Sequence, residues 1–528
     1  MTKTENQRPK TERLIWILFA LVIVAIYFFG LSIPLVGPDE PRYAQVAREM
    51  FSRGDWITPT LGGANWFEKP ALLYWLEIVS YKIFGVSEFA ARFGSAVFGL
   101  GTIFSLWILG KFSAEEFTEK PREGKNKNAF SVSSVNSSAE NNFANWLALI
   151  AASSIGLIVF SRGARFDIIL TFPITAALAA FFIADQTENK SSFTFYFCLF
   201  TFYFFVGVAL LAKGLVGIVL PFAVVAFYFL LSRKFPSKTF IFSFFWGTFL
   251  SLLVASIWYA PMYRTHGWRF VDEFFIQQHF QRFVSDKYQH AQPFWFFFIV
   301  LPLMTLPWLP FFLAALWKFF NEFFQRRDTE TQRKTFRIPH SAFRIFAFAW
   351  LLVPLVFFTF SGSKLPGYIL PALPAAIILT AESVYKFVGK SPRRKYLLQA
   401  LAFLTFAAVA LSLQFVVPKY ARRDSVKSLI ETADASGYKG EKITNLYVVS
   451  YNAEFYAAGR LVRDADGKMK RYDDFVQLAI ELKHQNTPNI LVLVPHSNVR
   501  EVVESPWVEA RALDDNGDTA IVLLKAKN

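Results

Sequence analysis

The amino-acid sequence predicts a polytopic α-helical membrane protein that ends in a small α/β domain. Three observations lead there. Hydrophobic residues make up 54% of the 528, with 63 phenylalanines among them, outside the range of soluble domains. They gather into runs of about twenty, the length a helix needs to cross roughly 30 Å of hydrocarbon. From about residue 419 the long runs stop and short β-branched stretches take over.

The runs lie near 14–34, 89–110, 143–161, 168–184, 193–211, 214–232, 239–260, 294–317, 343–361, 367–388 and 396–417, eleven in all. The first follows Lys3, Arg8, Lys10 and Arg13 but has no small-residue cleavage site, so it reads as an anchor. The net charge is +15. Its basic residues cluster between the runs, among them Lys111, Lys120, Arg122, Lys318, Arg326, Arg327 and Lys334, which is the pattern that orients a membrane protein and not one that signals nucleic acid. Threading the runs in order puts those loops and the amino terminus in the cytoplasm and everything after Pro418 outside, in the periplasm of a cell with an outer membrane. Cys198 is the sole cysteine, so an intramolecular disulfide and a thiolate cluster are both excluded.

This gives a transmembrane domain over 1–418 and a C-terminal α/β domain over 419–528. A Ser/Asn/Lys-rich insert at about 113–142 reads as flexible and cytoplasmic. In the tail, LYVVS, NILVLV and IVLLK read as buried strands and YDDFVQLAIELKHQ as an amphipathic helix.

Two long outer segments interrupt the runs, at about 35–88 and 261–293, and insertions of that length carry function more often than connection. In GPDEPRYAQVAREM, Pro41 suits a first helical position with Glu40 as its cap, and Tyr43, Val46, Ala47 and Met50 share one face. A second helix from Pro70 presents Leu72, Leu73, Trp75 and Leu76, and both suit an interfacial position. The outer segments collect Asp39, Glu40, Arg42, Glu68, Lys69, Asp167, Lys213, His279, Arg282 and Lys364 at one membrane face. Carboxylates there can serve as bases or bind a cation, and Lys and Arg can hold phosphate. Each has a plainer reading. Asp39, Glu40 and Asp167 would cap helices, Lys213 would snorkel, and Tyr368 would belong to an interfacial aromatic belt.

Taken together, the run GPDEPRYAQVAREMFSRGDWITPTLGGANWFEKPALLYWL, then RFDIILTFP, LLAKGLVGIVLP, IQQHFQRFVSDKYQHAQPFWFF, LPWLP and SKLPGYILP resemble, in order, the bacterial aminoarabinose transferases that modify lipid A. Related protein mannosyltransferases share the acidic pair. The resemblance implies a C-type glycosyltransferase fold in the cell inner membrane, acting at the periplasmic face. It implies a sugar donor carried on undecaprenyl phosphate or another polyprenyl phosphate, a lipid or glycan acceptor with lipid A the candidate, and transfer by single displacement with inversion. Carried over position by position, Asp39 becomes the central catalytic carboxylate, with Glu40 beside it and Asp167 as a second acidic site. Arg42, Lys69, Lys213, Arg282 and Tyr368 become donor-phosphate contacts. Glu68 and His279 become ligands of a divalent cation such as zinc. Beyond membrane lipids and these substrates no partner is implied, and the chain is expected to be a monomer.

Members of that family carry additional helices before their outer domain, whereas here the eleventh run leads directly into the tail, so the identity of sugar and acceptor is the point at which this chain departs most. Two other functions are open to a chain of this composition. A polyprenyl-lipid transporter would place polar or broken helices at the bilayer midplane, and an envelope assembly protein would work through its tail.

Overall fold

The computed structural model describes residues 8–113, 142–281, 292–325, 341–465, 467–485 and 489–526. The insert at about 113–142, the basic stretch 326–340 and Arg282 therefore fall almost wholly outside the described residues. The chain divides into two compact units. One comprises Met1–Phe29, Glu68–Leu72 and Ser95–Val409, the other Gly30–Phe67, Leu73–Gly94 and Ala410–Asn528.

The first unit is helical. Each of the eleven apolar runs coincides with helix, and among the described residues seven helices are long and apolar enough to cross a membrane by length and composition. Others fall short of that length for identifiable reasons. The run at 294–317 is divided into Phe296–Met304 and Leu309–Gln325, because Pro302 and Pro307 each remove a backbone N–H. The run at 143–161 breaks at Ser154 before a short helix over Ile155–Phe160. The two breaks satisfy each other: Ile155 N–H donates to Leu306 O at 2.9 Å, and Trp308 Nε1 donates to Ser153 Oγ at 2.9 Å. Non-helical backbone at such depth needs partners of this kind, since lipid supplies none.

Small residues let the remaining helices close. A Cβ on Gly207, in the Phe193–Lys213 helix, would sit 2.8 Å from the Ser251 carbonyl, and one on Gly247 would lie 2.2 Å from the Tyr203 ring. With little hydrophobic drive between helices in lipid, this close approach is what holds them together. Phe181, Phe182, Tyr228 and Phe346 then fill the space between with edge-on and stacked rings.

The second unit holds the Asp39–Arg53 helix and, from Leu73 on, the Leu72–Phe84 helix. It also holds a small hairpin, β1 (Thr60–Leu61) with β2 (Ala64–Asn65), and the tail's five-stranded sheet. The sheet comprises β3 (Ile443–Leu446), β4 (Arg471–Tyr472), β5 (Ile490–Pro495), β6 (Val508–Asp515) and β7 (Thr519–Ala526), in the order β4-β3-β5-β7-β6. β3 runs parallel to β4 and β5, whereas β7 runs antiparallel to both β5 and β6. Alternation along the strands makes two cores. Val492, Val494, Val522 and Leu524 pack on one face with Phe475, Leu478 and Leu482 of the Phe475–Gln485 helix. Leu491, Leu493, Ile521 and Leu523 pack on the other with Leu429, Ile430, Ala453 and Ala457.

Two strand expectations shift. LYVVS was expected as a strand, but β3 ends at Leu446 and Tyr447 adopts φ +63°, so most of that string is loop. β6 was not expected. It is an edge strand with mixed burial; Val508, Ala510 and Ala512 alternate with Glu509 and Arg511, but two of those three apolar positions are alanine and Asp514 and Asp515 end the pattern, so the alternation is a weak signal.

Candidate active site

The residues singled out from the sequence fall into two clusters, one in each unit. In the second unit, the Asp39–Arg53 helix starts at Asp39 itself, with Pro38 in the capping position. This corrects the expected start at Pro41 with Glu40 as cap. Gly37 precedes it with φ +66°, a conformation that costs glycine nothing and other residues strain. Glu40 points away from Asp39 into the protein. It is 2% exposed, and its carboxylate takes Arg92 Nη2 at 2.7 Å, Arg92 Nε at 3.1 Å and the Val36 N–H at 3.2 Å. The Arg92 guanidinium also donates to the carbonyls of Leu31, Ile33 and Pro34.

Asp39 is different: its side chain is 37% exposed, with Arg42 Nη2 3.6 Å from Oδ1. The Arg42 guanidinium lies 5.7 Å from the centroid of Trp66 and 5.6 Å from that of Tyr451, so two aromatic rings orient it while solvent still reaches it. A carboxylate and a cation arranged this way can receive a polar substrate without first breaking a tight ion pair. One turn along the Leu72–Phe84 helix from Leu73, Glu77 is fully buried, and among the described residues neither of its carboxyl oxygens has a hydrogen-bond partner. Burial, and secondarily the nearby charge of Glu40, holds its carboxyl well above the usual range.

The first unit brings Asp167, Lys213 and Tyr368 together. Asp167 lies in the first turn of the Phe166–Gln186 helix, and Lys213 is the last residue of the Phe193–Lys213 helix. Each charge sits at the helix end whose dipole favours it. Lys213 Nζ is 2.5 Å from Asp167 Oδ1, with the two side chains 17% and 15% exposed, and 4.7 Å from the Tyr368 ring centroid. Gly367 makes room, since a Cβ there would lie 2.1 Å from Asp167 Oδ2. The lysine is therefore not simply snorkelling, and Asp167 does more than start a helix. An oriented ammonium beside an aromatic face is a suitable point contact for phosphate.

Glu68 and Lys69 are half-buried. Among the described residues no three His, Cys, Asp or Glu side chains converge as a metal site, and the side chain of His279, like all of Arg282, lies outside them. Glu68 and His279 alone are two ligands, fewer than a zinc site takes from protein. Sequence reasoning did not find Arg92, Trp66 or Tyr451. Arg92 did leave a signal, a charged residue within an otherwise apolar run. Tyr451 left none.

Membrane-spanning helices together with a small C-terminal sheet domain make the fold of the C-type membrane glycosyltransferases, and the chain is a multi-pass membrane protein of that architecture. It superimposes on ArnT from Cupriavidus metallidurans bound to undecaprenyl phosphate with a TM-score of 0.74, over 96% of this chain and 97% of that one, at 20% identity. On the archaeal oligosaccharyltransferase AglB from Archaeoglobus fulgidus the TM-score is 0.52, over 93% and 70%, at 12% identity. Residues 14–117 match the family model for dolichyl-phosphate-mannose-protein mannosyltransferase. The chain is also similar to the undecaprenyl phosphate-alpha-4-amino-4-deoxy-L-arabinose arabinosyl transferases of Shewanella sediminis and Aeromonas hydrophila. It is 29% identical to the first over 378 residues, covering 70% of this chain and 61% of that one. It is 30% identical to the second over 373 residues, covering 69% and 60%. The resemblance read from the motifs thus extends over most of the chain, and the chain spans about three-fifths of the length of these curated relatives.

Proposed function

We propose that this protein is an integral membrane glycosyltransferase that moves a sugar from a polyprenyl phosphate donor to an envelope acceptor, and that lipid A aminoarabinose transfer is the reaction it most resembles. The observation that carries the proposal is the carboxylate of Asp39, fixed at a helix start yet half-exposed and only loosely paired with Arg42. Similarity to transferases that use undecaprenyl phosphate-linked aminoarabinose supports the choice of donor.

In this reading the acceptor oxygen attacks the anomeric carbon as the bond to the phosphate oxygen breaks, with inversion. A hydroxyl acceptor gives its proton to Asp39, acting as general base. An ionised phosphate acceptor has no proton to give, and Asp39 then steadies the developing positive charge of the sugar. Negative charge grows on the departing phosphate and needs positive charge to meet it; Arg42 lies beside Asp39, and the motif resemblance implies Lys69 and Lys213 as donor-phosphate contacts. Tyr368 and Asp167 orient Lys213. Glu40, closed inside its pair with Arg92, orients the turn and not the substrate. The site faces the periplasm, the amino terminus lies in the cytoplasm, and the membrane is the inner membrane.

The test is mass spectrometry of envelope lipids and glycans from cells lacking the gene, complemented with wild type or with Asp39→Asn. A mass difference of one sugar, restored by wild type alone, identifies both sugar and acceptor. Restoration by Asp39→Asn removes that residue from the mechanism. Redistribution of undecaprenyl-linked sugar with no glycan changed overturns the proposal in favour of transport.

A further inference from the structure

Three consecutive backbone N–H groups lead up to Asp39, and a side chain takes each one. Leu35 N–H donates to Tyr456 Oη at 2.8 Å, Val36 N–H to Glu40 Oε2 at 3.2 Å, and Gly37 N–H to Asp424 Oδ2 at 2.8 Å. Pro38 has no N–H to place. Two of the three acceptors come from the tail, 421 and 387 residues away in sequence.

Both acceptors are themselves held. Asn452, 6% exposed, donates through Nδ2 to the Asp424 carbonyl at 2.7 Å. Tyr456 Oη donates to Glu88 Oε1 at 3.1 Å, and Lys427 Nζ pairs with the same oxygen at 2.7 Å. Asp424 is also the last residue of the Val417–Asp424 helix, where the helix dipole opposes an acid. Its place there is explained by what it holds.

We infer that the tail positions the proposed catalytic carboxylate: Asp424 and Tyr456 clamp the backbone of 35–37 and thereby fix the direction in which Asp39 leaves its helix. Both are positioning residues, since neither touches a reacting atom. The inference rests on the proposed transfer reaction for its effect on rate, but the clamp itself is independent of any reaction. The physical expectation is that displacement of a reacting group by about 1 Å costs up to about a hundredfold in rate, without changing how tightly substrate binds elsewhere.

The experiment uses the full-length protein in lipid nanodiscs, as wild type, Asp424→Ala, Asp424→Asn and Tyr456→Phe. Two quantities are read. One is hydrogen exchange of peptides covering 31–40, with those covering β5 as control. The other is kcat and KM for transfer from undecaprenyl phosphate-aminoarabinose to lipid A. Asp424→Ala is expected to raise exchange at 31–40 alone and to lower kcat by about tenfold or more with KM within about twofold. Asp424→Asn keeps an acceptor oxygen and is expected to recover most of the loss. If Asp424→Ala does not fold, Asp424→Asn and Tyr456→Phe decide: Tyr456→Phe removes one hydroxyl and is expected to loosen Leu35 and slow kcat.

Unchanged exchange at 31–40 in every folded variant refutes the clamp. Raised exchange with kcat unchanged refutes positioning. If wild type transfers no sugar from this donor while exchange responds as stated, the clamp stands and the proposed reaction falls.

Discussion

Arg92 meets Glu40 with two nitrogens, Nη2 2.7 Å from Oε2 and Nε 3.1 Å from Oε1, and the two side chains are 6% and 3% exposed. The same guanidinium reaches three carbonyls of 31–34, so one buried cation ties the Asp39–Arg53 helix to the segment that enters it. Breaking such a pair from one side leaves an uncompensated buried charge. Arg92→Met is expected to cost about 3–5 kcal/mol. The double variant Arg92→Met with Glu40→Gln is expected to recover part of that loss because no charge is stranded. Unfolding of the four proteins in a double-mutant cycle checks this, and a double variant as unstable as Arg92→Met argues that the carbonyl contacts dominate.

The Lys213 and Asp167 pair depends on a missing side chain. Because a Cβ on Gly367 would overlap Asp167 Oδ2, Gly367→Ala is expected to push the carboxylate off Lys213 and to lower transfer by an amount comparable to Asp167→Ala. Strain of this kind typically costs about 1–3 kcal/mol, so the protein should still fold. Transfer rates at equal folded protein, alongside melting curves, separate the two effects.

Lys213→Arg is expected not to restore what Lys213→Ala loses. A planar guanidinium cannot occupy the compact position of an ammonium between Asp167 and the Tyr368 ring. Affinity for the lipid-phosphate carrier, measured by titration of undecaprenyl phosphate, gives the comparison, and wild-type affinity in the arginine variant contradicts it.

Glu77 makes stability depend on pH in a stated direction. Burial raises its folded-state carboxyl well above the ordinary 4.5. The folded protein therefore keeps a proton that the unfolded chain gives up, and stability is lost as pH rises above that value. Glu77→Gln is neutral at every pH. Its melting temperature minus that of wild type should grow from about pH 5 to about pH 8, and a difference that stays flat or shrinks disproves the assignment.

Much of this fold is legible in the sequence because hydrophobic runs and strand alternation are local signals. The eleven runs, the Phe475–Gln485 helix, β5 and β7 all follow from them. The break at Ser154 is not legible, since its partner Leu306 lies more than a hundred residues away, whereas Pro302 and Pro307 mark the other break locally. β6 escaped because its alternating apolar positions are mostly alanine and two aspartates end it. In the site, Asp39, Arg42, Asp167 and Lys213 stood out as charges beside apolar runs. That Asp167 pairs with Lys213, and that Glu40 turns inward to Arg92, depends on tertiary neighbours that no spacing reveals. The tail's grip on 35–37 is the extreme case, with partners drawn from opposite ends of the chain.

That grip also sets a timetable for biogenesis. Gly37 leaves the ribosome 387 residues before Asp424, an interval of roughly 20–80 s at ordinary rates of chain synthesis. Throughout it, the segment ahead of Asp39 has no acceptor for two of its amide groups. A truncated or half-inserted chain thus carries its helices into the bilayer with the carboxylate unaimed, and competence arrives only once Asp424 and Tyr456 have been made and folded against it.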